Sequence, residues 1–164
     1  MATHRLSIFN CLMPDTSGND WFEPASITQT NDRYTQMVLR FKDTATKDTA
    51  GFKFSVPNNY VSSPVFEVIW TTTATSGNAI WNVDYSSASK TASLDPSADE
   101  ENLTVTTAAP GTSQTGVAST MSATAANIAA ADVCQGKLGR NGAGADTIAA
   151  DLVVYDLIFQ YSDV

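Results

Sequence analysis

The sequence predicts an all-β fold: an antiparallel β-sandwich or jelly roll of about eight or nine strands, with an N-terminal arm. Three observations indicate this class. Short segments in which apolar and polar residues alternate follow one another along the chain, as in strands with one buried face. Polar turns rich in Gly, Pro, Asn and Ser separate these segments. Several connections are long, which is typical of Greek-key crossings between two sheets.

Domain organisation follows from the chain length and from the turn formers near the N-terminus. The 164 residues fit a single domain, which a chain of this size can stabilise without disulfides. We expect residues 1–33 to form an arm and residues 34–164 to form the β-sandwich. The arm begins with a short strand candidate, Arg5–Phe9. Trp21 and Phe22 either plug one end of the core or anchor the arm on a neighbouring subunit, which makes them interface candidates.

Alternation of apolar and polar residues marks the strand candidates of the sandwich. In chain order they are Tyr34–Phe41, Gly51–Val56, Val65–Thr73, Ala79–Tyr85, Leu103–Thr107, Gly116–Ser122, Val133–Leu138 and the C-terminal segment. Gly77 and Asn78 favour a tight turn, so we expect Val65–Tyr85 to form a β-hairpin. The Ala-rich stretch Ala123–Val133 has helical propensity but is short. It should form at most one or two helical turns and carry Ile128 into an end of the core.

The C-terminal segment, Asp146–Val164, contains the longest apolar run of the chain. Because side chains alternate between the two faces of a strand, this run indicates a central strand that is covered on both faces. Strict alternation places Asp156 and Gln160 on one face, together with Leu152, Val154 and Ile158. The opposite face is expected to fill the core with Val153, Tyr155, Leu157, Phe159 and Tyr161. Asp156 and Gln160 are interface candidates, because their face should meet another subunit or the arm.

Composition restricts the partners and the compartment. The formal net charge is −8 and the nine basic residues are scattered, which argues against direct binding to nucleic acid or to an anionic membrane. Neither a signal peptide nor an apolar run as long as a membrane span, about 18 residues, is found, so we expect synthesis in a cytoplasm. Cys11 and Cys134 lack metal-ligand spacing, and two free, buried thiols are favoured over a disulfide.

Catalytic chemistry has little support in the sequence. His4 is the only histidine of the sequence. This argues against a Ser–His–Asp or Cys–His catalytic site of the usual kind and against a zinc site with several His ligands. Glu67 lies in mid-strand on a largely apolar face, where a carboxyl group with a raised pKa could act as a glycosidase acid. No second carboxylate is evident beside it, so a solvated or interfacial glutamate is the favoured interpretation. We expect no enzyme, no catalytic residue, no metal and no cofactor.

Two loops carry further candidates. Negative charge is concentrated in the insertion 86–102, at Asp95, Asp99, Glu100 and Glu101. A calcium site is conceivable there, but the EF-hand spacing is missing and a solvated acidic loop is favoured. The Gly-rich segment 139–146 precedes a strand rather than a helix and does not match a phosphate-binding loop. We expect a flexible turn across which Arg140 and Asp146 pair at the surface, with little gain in stability.

Three segments together resemble small β-sandwich virion proteins found in genomes of tailed bacteriophages. The segments are LSIFNCLMPDTSGN, WTTTATSGNAIWNVDY and GRNGAGADTIAADLVVYDLIFQYSD. The resemblance covers most of the chain and implies a structural role without catalysis. Domains similar to this one serve as capsid cement (decoration) proteins or as tail and fibre components.

Among these roles we favour a capsid cement protein, because the chain is a small single domain with an arm and without fibrous repeats. The resemblance then implies a homotrimer that binds the major capsid protein on the capsid surface of a virion. A tail or fibre-associated component and a carbohydrate-binding module are the alternatives. A carbohydrate-binding module needs an exposed aromatic platform, whereas most aromatic residues here occupy inward strand positions, where core packing is favoured.

Overall fold

The computed structural model describes residues 1–14, 23–28, 35–43, 47–95, 98–141 and 146–163. These residues form two antiparallel β-sheets that enclose one hydrophobic core, which confirms the predicted all-β sandwich. The strands in the described ranges are β1 Thr3–Ser7, β2 Met13–Pro14, β3 Glu23–Thr28, β4 Thr35–Phe41, β5 Lys47–Ser55, β6 Ser62–Thr72, β7 Asn78–Ala88, β8 Glu101–Ala108, β9 Val117–Ser122, β10 Val133–Asn141 and β11 Leu152–Ser162.

The strands are divided between two sheets, and the chain crosses from one sheet to the other repeatedly. Sheet I has the order β3-β4-β11-β6-β9, with β1 paired to the second half of β11. Sheet II has the order β2-β5-β10-β7-β8. The C-terminal strand β11 is central, as predicted: β6 pairs along one side, and β4 and then β1 pair along the other.

The expected hairpin over Val65–Tyr85 is wrong. Strand β6 belongs to sheet I and β7 to sheet II, so their connection crosses from one sheet to the other. The turn itself is present, and Gly77 has a φ of 98°, in the left-handed region that favours glycine. A Cβ on Gly77 would also stand 2.6 Å from the backbone oxygen of Thr147. A turn signal is local, whereas the pairing partner depends on which apolar faces the strands must bury.

Aromatic side chains dominate the core between the sheets. Seven are at most 2% exposed: Phe41, Phe52, Phe66, Trp70, Trp81, Tyr85 and Phe159. The rings of Trp70 and Trp81 meet edge to face with centroids 6.0 Å apart, and Phe41 packs against Trp81 at 5.2 Å. The predicted packing of most aromatic residues in the core is therefore confirmed for these seven described residues.

Strand β11 contains a β-bulge that changes the predicted alternation. Its register with β6 shifts between Val154 and Asp156, and Tyr155 is the extra residue. Leu152 and Val154 are consequently buried, while Val153 and Tyr155 are half-buried. The prediction of which residues face the core is therefore wrong before the bulge. Side chains alternate with a period of two, so one inserted residue exchanges the two faces of the strand. After the bulge, the predicted core positions are confirmed for Leu157, Phe159 and Tyr161.

The described parts of the arm join the sheets of their own chain. Strand β1 pairs with β11, β2 with β5 and β3 with β4. Trp21 and Phe22 lie outside the described residues. The division into an arm of residues 1–33 and a sandwich of residues 34–164 stays a prediction, but the arm strands that are described extend both sheets.

Helical structure in the described ranges is confined to two 3₁₀ turns, Phe9–Cys11 and Ala125–Asn127. Ile128 follows the second turn and is 4% exposed, as predicted. No helix there is long and apolar enough to cross a membrane. Cys11 and Cys134 are free thiols, and burial raises the pKa of the Cys134 thiol to about 12.

Candidate functional site

The interface candidates Asp156 and Gln160 lie half-buried on the outer face of sheet I. The Asp156 carboxylate accepts a hydrogen bond from the Ser7 hydroxyl of β1 at 2.6 Å. The Gln160 amide donates to the Glu67 carboxylate of β6 at 2.5 Å. Both side chains therefore contact strands of their own chain, and a contact with another subunit stays a prediction.

Glu67 connects three strands of sheet I. It is 7% exposed and accepts hydrogen bonds from the Arg5 guanidinium of β1 and the Gln160 amide of β11. These partners are a cation and an amide, not the second carboxylate that a glycosidase pair requires. Glu67 therefore connects strands of its own sheet, and a contact of this face with another subunit stays a prediction.

Arg140 and Asp146 pair, but in the interior and not at the surface as predicted. Their side chains are 0% and 1% exposed, and the guanidinium donates to both carboxylate oxygens, at 3.0 and 3.2 Å. It also donates to the backbone oxygens of Ile148 and Ala150, each at 2.7 Å. The pair therefore fixes the segment 146–151 against β10. The small predicted contribution to stability is wrong, because breaking this pair would leave a buried charge without its partner.

Three carboxylates of the acidic insertion accept hydrogen bonds, and one of them, Asp99, accepts from the Asn102 amide at 3.3 Å. Glu101 accepts from the Tyr85 hydroxyl at 2.7 Å and from the Thr124 N–H at 2.8 Å, while Glu100 accepts from the Ser87 N–H at 3.1 Å. Burial acts to raise the pKa of Glu101, but the hydrogen bonds from Thr124 and Tyr85 outweigh it and hold the pKa below its ordinary value. In the part of the chain that the structure describes, no group of His, Cys, Asp and Glu side chains could hold a metal ion.

An open cleft of about 380 Å³ lies on the outer face of sheet I. We call it the Arg40–Asp151 cleft, and its lining is Arg40, Thr71, Thr72, Thr73, Gln114, Asp151 and Val153. Arg40, Val153 and Thr71 are register partners on β4, β11 and β6. Directly opposed residues on neighbouring strands point to the same face, so these three form one row across the sheet.

The wall of the cleft contributed by the loop between β8 and β9 is held firmly. Gln114 has a φ of 62°, a left-handed conformation that is uncommon for a residue other than glycine. Its N–H donates to the backbone oxygen of Thr72 at 2.9 Å, and the Thr71 hydroxyl donates to the backbone oxygen of Thr115 at 2.8 Å. Strained residues of this kind concentrate at functional sites, where the surrounding structure maintains them.

Arg40 and Asp151 supply opposite charges on the two sides of the cleft. Arg40 Nε and Asp151 Oδ2 are 3.8 Å apart, and the side chains are 40% and 42% exposed. Asp151 is positioned twice: its Oδ1 accepts from the Asp43 N–H and its backbone oxygen accepts from the Thr72 hydroxyl, both at 3.0 Å. A separation of 3.8 Å is too long for a hydrogen bond. The two charged groups therefore retain hydrogen-bonding capacity for a ligand.

Reasoning from the sequence did not identify this cleft. It assigned no role to Arg40, which stands between the buried Leu39 and Phe41 and is itself half-buried. It gave no role to Asp151 or Gln114. An outward arginine in a largely apolar strand was the available signal.

No family model matches the chain, and no curated protein matches it either. Solved structures similar to it include the CBM22-1 xylan-binding domain of Paenibacillus barcinonensis Xyn10C, with a TM-score of 0.48, 8% identity, and 99% of this chain and 94% of that one covered. TmCBM27, a carbohydrate-binding module that recognises mannan, has a TM-score of 0.48 at 6% identity, with 99% of each chain covered. The family 11 carbohydrate-binding module of Clostridium thermocellum has a TM-score of 0.44 at 8% identity, covering 96% and 87%.

These likenesses concern the fold alone. At TM-scores below 0.5 and identities of 6–8% they assign neither a fold family nor a ligand to this chain. The resemblance to phage virion proteins stays a prediction.

Proposed function

We propose that this chain is a non-catalytic binding module that holds a glycan in the Arg40–Asp151 cleft. One observation carries the proposal: the cleft combines opposed, exposed charged groups with threonine and glutamine side chains on a fixed sheet face. Polar groups that converge on a pre-formed concave surface are typical of ligand sites. A ligand with many hydroxyl groups can satisfy donors and acceptors of this kind together.

The cleft is less suited to other ligand classes. Its lining contains a single apolar residue, Val153, so it offers little to a hydrophobic ligand. The chain carries a formal charge of −8, which opposes binding of nucleic acid. Only one carboxylate, Asp151, belongs to the lining, whereas hydrolysis of a glycosidic bond commonly requires two. We therefore propose binding without turnover.

Aromatic stacking would not come from the tryptophans of the core. Trp70 and Trp81 are 0% exposed, so neither can belong to an exposed aromatic platform. Tyr155 is half-buried in the bulge, two residues after Val153. It is an aromatic side chain of β11 that remains accessible close to the cleft in sequence, and it is the candidate for contact with a sugar ring.

A binding panel with matched variants tests the proposal. Affinity electrophoresis in soluble xylan, mannan, mixed-linkage glucan and polygalacturonate should show retardation of the wild type in at least one polymer. The variant Gln114→Gly/Asp151→Ala should migrate freely, since glycine suits the positive φ and both changes remove cleft groups. The control Gln135→Ala/Asp95→Ala removes the same groups from the sheet II side and should be retarded like the wild type. Equal mobility in all gels, or equal retardation of both variants, contradicts the proposal.

A capsid cement role is the second candidate. It is favoured by half-buried apolar residues, Val65 and Ile69, on the outer face of sheet I beside Asp156 and Gln160. In a symmetric trimer Val65 and Ile69 would supply apolar contact, while the Asp156 carboxylate and the Arg5–Glu67 pair keep their partners within the sheet. The partners would be further copies of this chain and the major capsid protein, on the surface of a virion.

Light scattering during size-exclusion chromatography tests the second candidate. It predicts a stable trimer that Asp156→Lys disrupts without unfolding the protein, while Asp99→Lys in the exposed loop leaves it intact. A wild type that stays monomeric at high concentration and does not bind capsids contradicts the cement role. Glycan binding does not depend on that outcome.

A further inference from the structure

Among the ion pairs of the described residues, the Arg40–Asp151 pair stands out by its separation and exposure. Lys47 and Asp84 meet at 2.8 Å and His4 and Asp163 at 2.7 Å, whereas Arg40 and Asp151 stay 3.8 Å apart. Both members of the open pair are about 40% exposed. A gap of this size leaves a donor and an acceptor side by side with unused hydrogen-bonding capacity.

The surroundings fix the aspartate side of the gap. Arg40 lies within β4, opposite Val153 of β11. Asp151 immediately precedes β11, and its backbone oxygen and one carboxylate oxygen are bound by Thr72 and Asp43. The second carboxylate oxygen, Oδ2, faces Arg40. A ligand therefore meets an aspartate that is held through its backbone and its carboxylate, with the Arg40 guanidinium beside it.

The chemistry of the pair selects the chemistry of its ligand. Arginine only donates hydrogen bonds and an ionised carboxylate only accepts them. A carboxylate or phosphate ligand could bind Arg40 but would be repelled by Asp151. An ammonium ligand could bind Asp151 but would be repelled by Arg40. A hydroxyl group both donates and accepts, so two hydroxyls on adjacent carbons can accept from Arg40 and donate to Asp151 at the same time.

We propose that the Arg40–Asp151 pair is the specificity element of the cleft and selects a neutral sugar with hydroxyls on adjacent ring carbons. The inference rests on the proposed function and names the ligand class of the same site. Gln114 and Thr73 extend the row of groups available to further hydroxyls, and Val153 faces the C–H surface of the ring. Charge-assisted hydrogen bonds to both members of the pair supply discrimination against charged sugars.

Calorimetric titration with related oligosaccharides tests this specificity. The probes are xylohexaose, mannohexaose and cello-oligosaccharides, an acidic oligogalacturonate, and the best neutral ligand after periodate cleavage of its vicinal diols and borohydride reduction. The wild type should bind a neutral probe and lose about tenfold or more in affinity for its cleaved form, since charge-assisted hydrogen bonds are removed. The acidic probe should bind at least about tenfold more weakly than the neutral one.

Single variants complete the test. Arg40→Gln and Asp151→Asn should each weaken the neutral ligand about tenfold or more, whereas Lys53→Gln and Asp95→Asn on other surfaces should leave the affinity unchanged. Preferred binding of oligogalacturonate, tightened further by Asp151→Asn, would overturn the neutral-diol specificity and leave glycan binding intact. Undiminished binding of the periodate-cleaved ligand would do the same. If none of the probes binds, the proposed function fails with it.

Discussion

Two arginine–aspartate pairs of this fold, with their aspartates at positions 146 and 151, differ in almost every physical respect. Arg140 and Asp146 are buried, doubly hydrogen-bonded and surrounded by backbone carbonyls. Arg40 and Asp151 are exposed and stay 3.8 Å apart. The Arg140–Asp146 pair has no hydrogen-bonding capacity left for a ligand, whereas the Arg40–Asp151 pair keeps most of its hydrogen-bonding capacity. An ion pair that is buried and fully hydrogen-bonded thus stabilises the fold, whereas an exposed pair with unused donors and acceptors can bind a ligand.

Asp43 connects the two pairs. Its carboxylate contacts the Arg140 guanidinium at 3.4 Å, and its N–H donates to the Asp151 carboxylate at 3.0 Å. The segment 146–151, fixed by Arg140, also ends at Asp151. The buried pair therefore positions one side of the cleft, so stability and recognition are linked through one short connection before β11.

The largest expected effect comes from the buried pair. Arg140→Met should lower the free energy of unfolding by about 3–5 kcal/mol, because Asp146 and two carbonyl oxygens would lose their partner. The same change at the open pair, Arg40→Met, should cost less than about 1 kcal/mol. Urea denaturation of both variants measures the difference. Equal losses would abolish the distinction between the pairs.

Glu101, a half-buried carboxylate, should contribute to the free energy of unfolding by an amount between those of Arg140 and Arg40. The lowered pKa of Glu101 means that its hydrogen bonds stabilise the fold above the ordinary pKa of glutamate, 4.5, and that this contribution disappears as the pH falls through the lowered value. Glu101→Gln should therefore lose less stability than the wild type between about pH 5 and pH 3. Urea titrations across this range provide the measurement, with Asp95→Asn as the control. A wild-type slope retained by the glutamine variant would refute the assignment.

The smallest effect on stability is expected at the cleft. Arg40→Gln and Asp151→Asn should each change the free energy of unfolding by less than about 1 kcal/mol, since the pair is solvated and long. Thermal unfolding of the two variants beside the wild type gives the comparison. A large loss at either position would mean that the open pair serves the fold, and the contrast with Arg140 and Asp146 would no longer hold.

The fold class could be predicted because alternation and turn formers are local signals. They predicted core packing for most aromatic residues, and they indicated a central C-terminal strand. The same locality explains the errors. The turn at Gly77 did not reveal that β6 and β7 enter different sheets, and strict alternation could not detect the bulge at Tyr155.

The candidate site could be predicted only in part, because it is assembled by pairing between remote strands. Arg40 comes next to Val153 and Thr71 only once β4, β11 and β6 are neighbours. The pairing of Arg140 with Asp146 was recognisable from their spacing, but its burial was not, since burial depends on the packing of the whole segment. Trp21 and Phe22 stay predictions as interface candidates.

Chemical-shift mapping with a neutral oligosaccharide tests the central claim most directly. On titration of the ¹⁵N-labelled protein, we predict that perturbed amides cluster at Thr71–Thr73, Gln114, Asp151 and Val153, while the outer face of sheet II around Asn82 and Thr104 stays unchanged. Saturating shifts at the cleft would establish it as the glycan site. Shifts centred on sheet II, or none with any neutral glycan, would contradict the account.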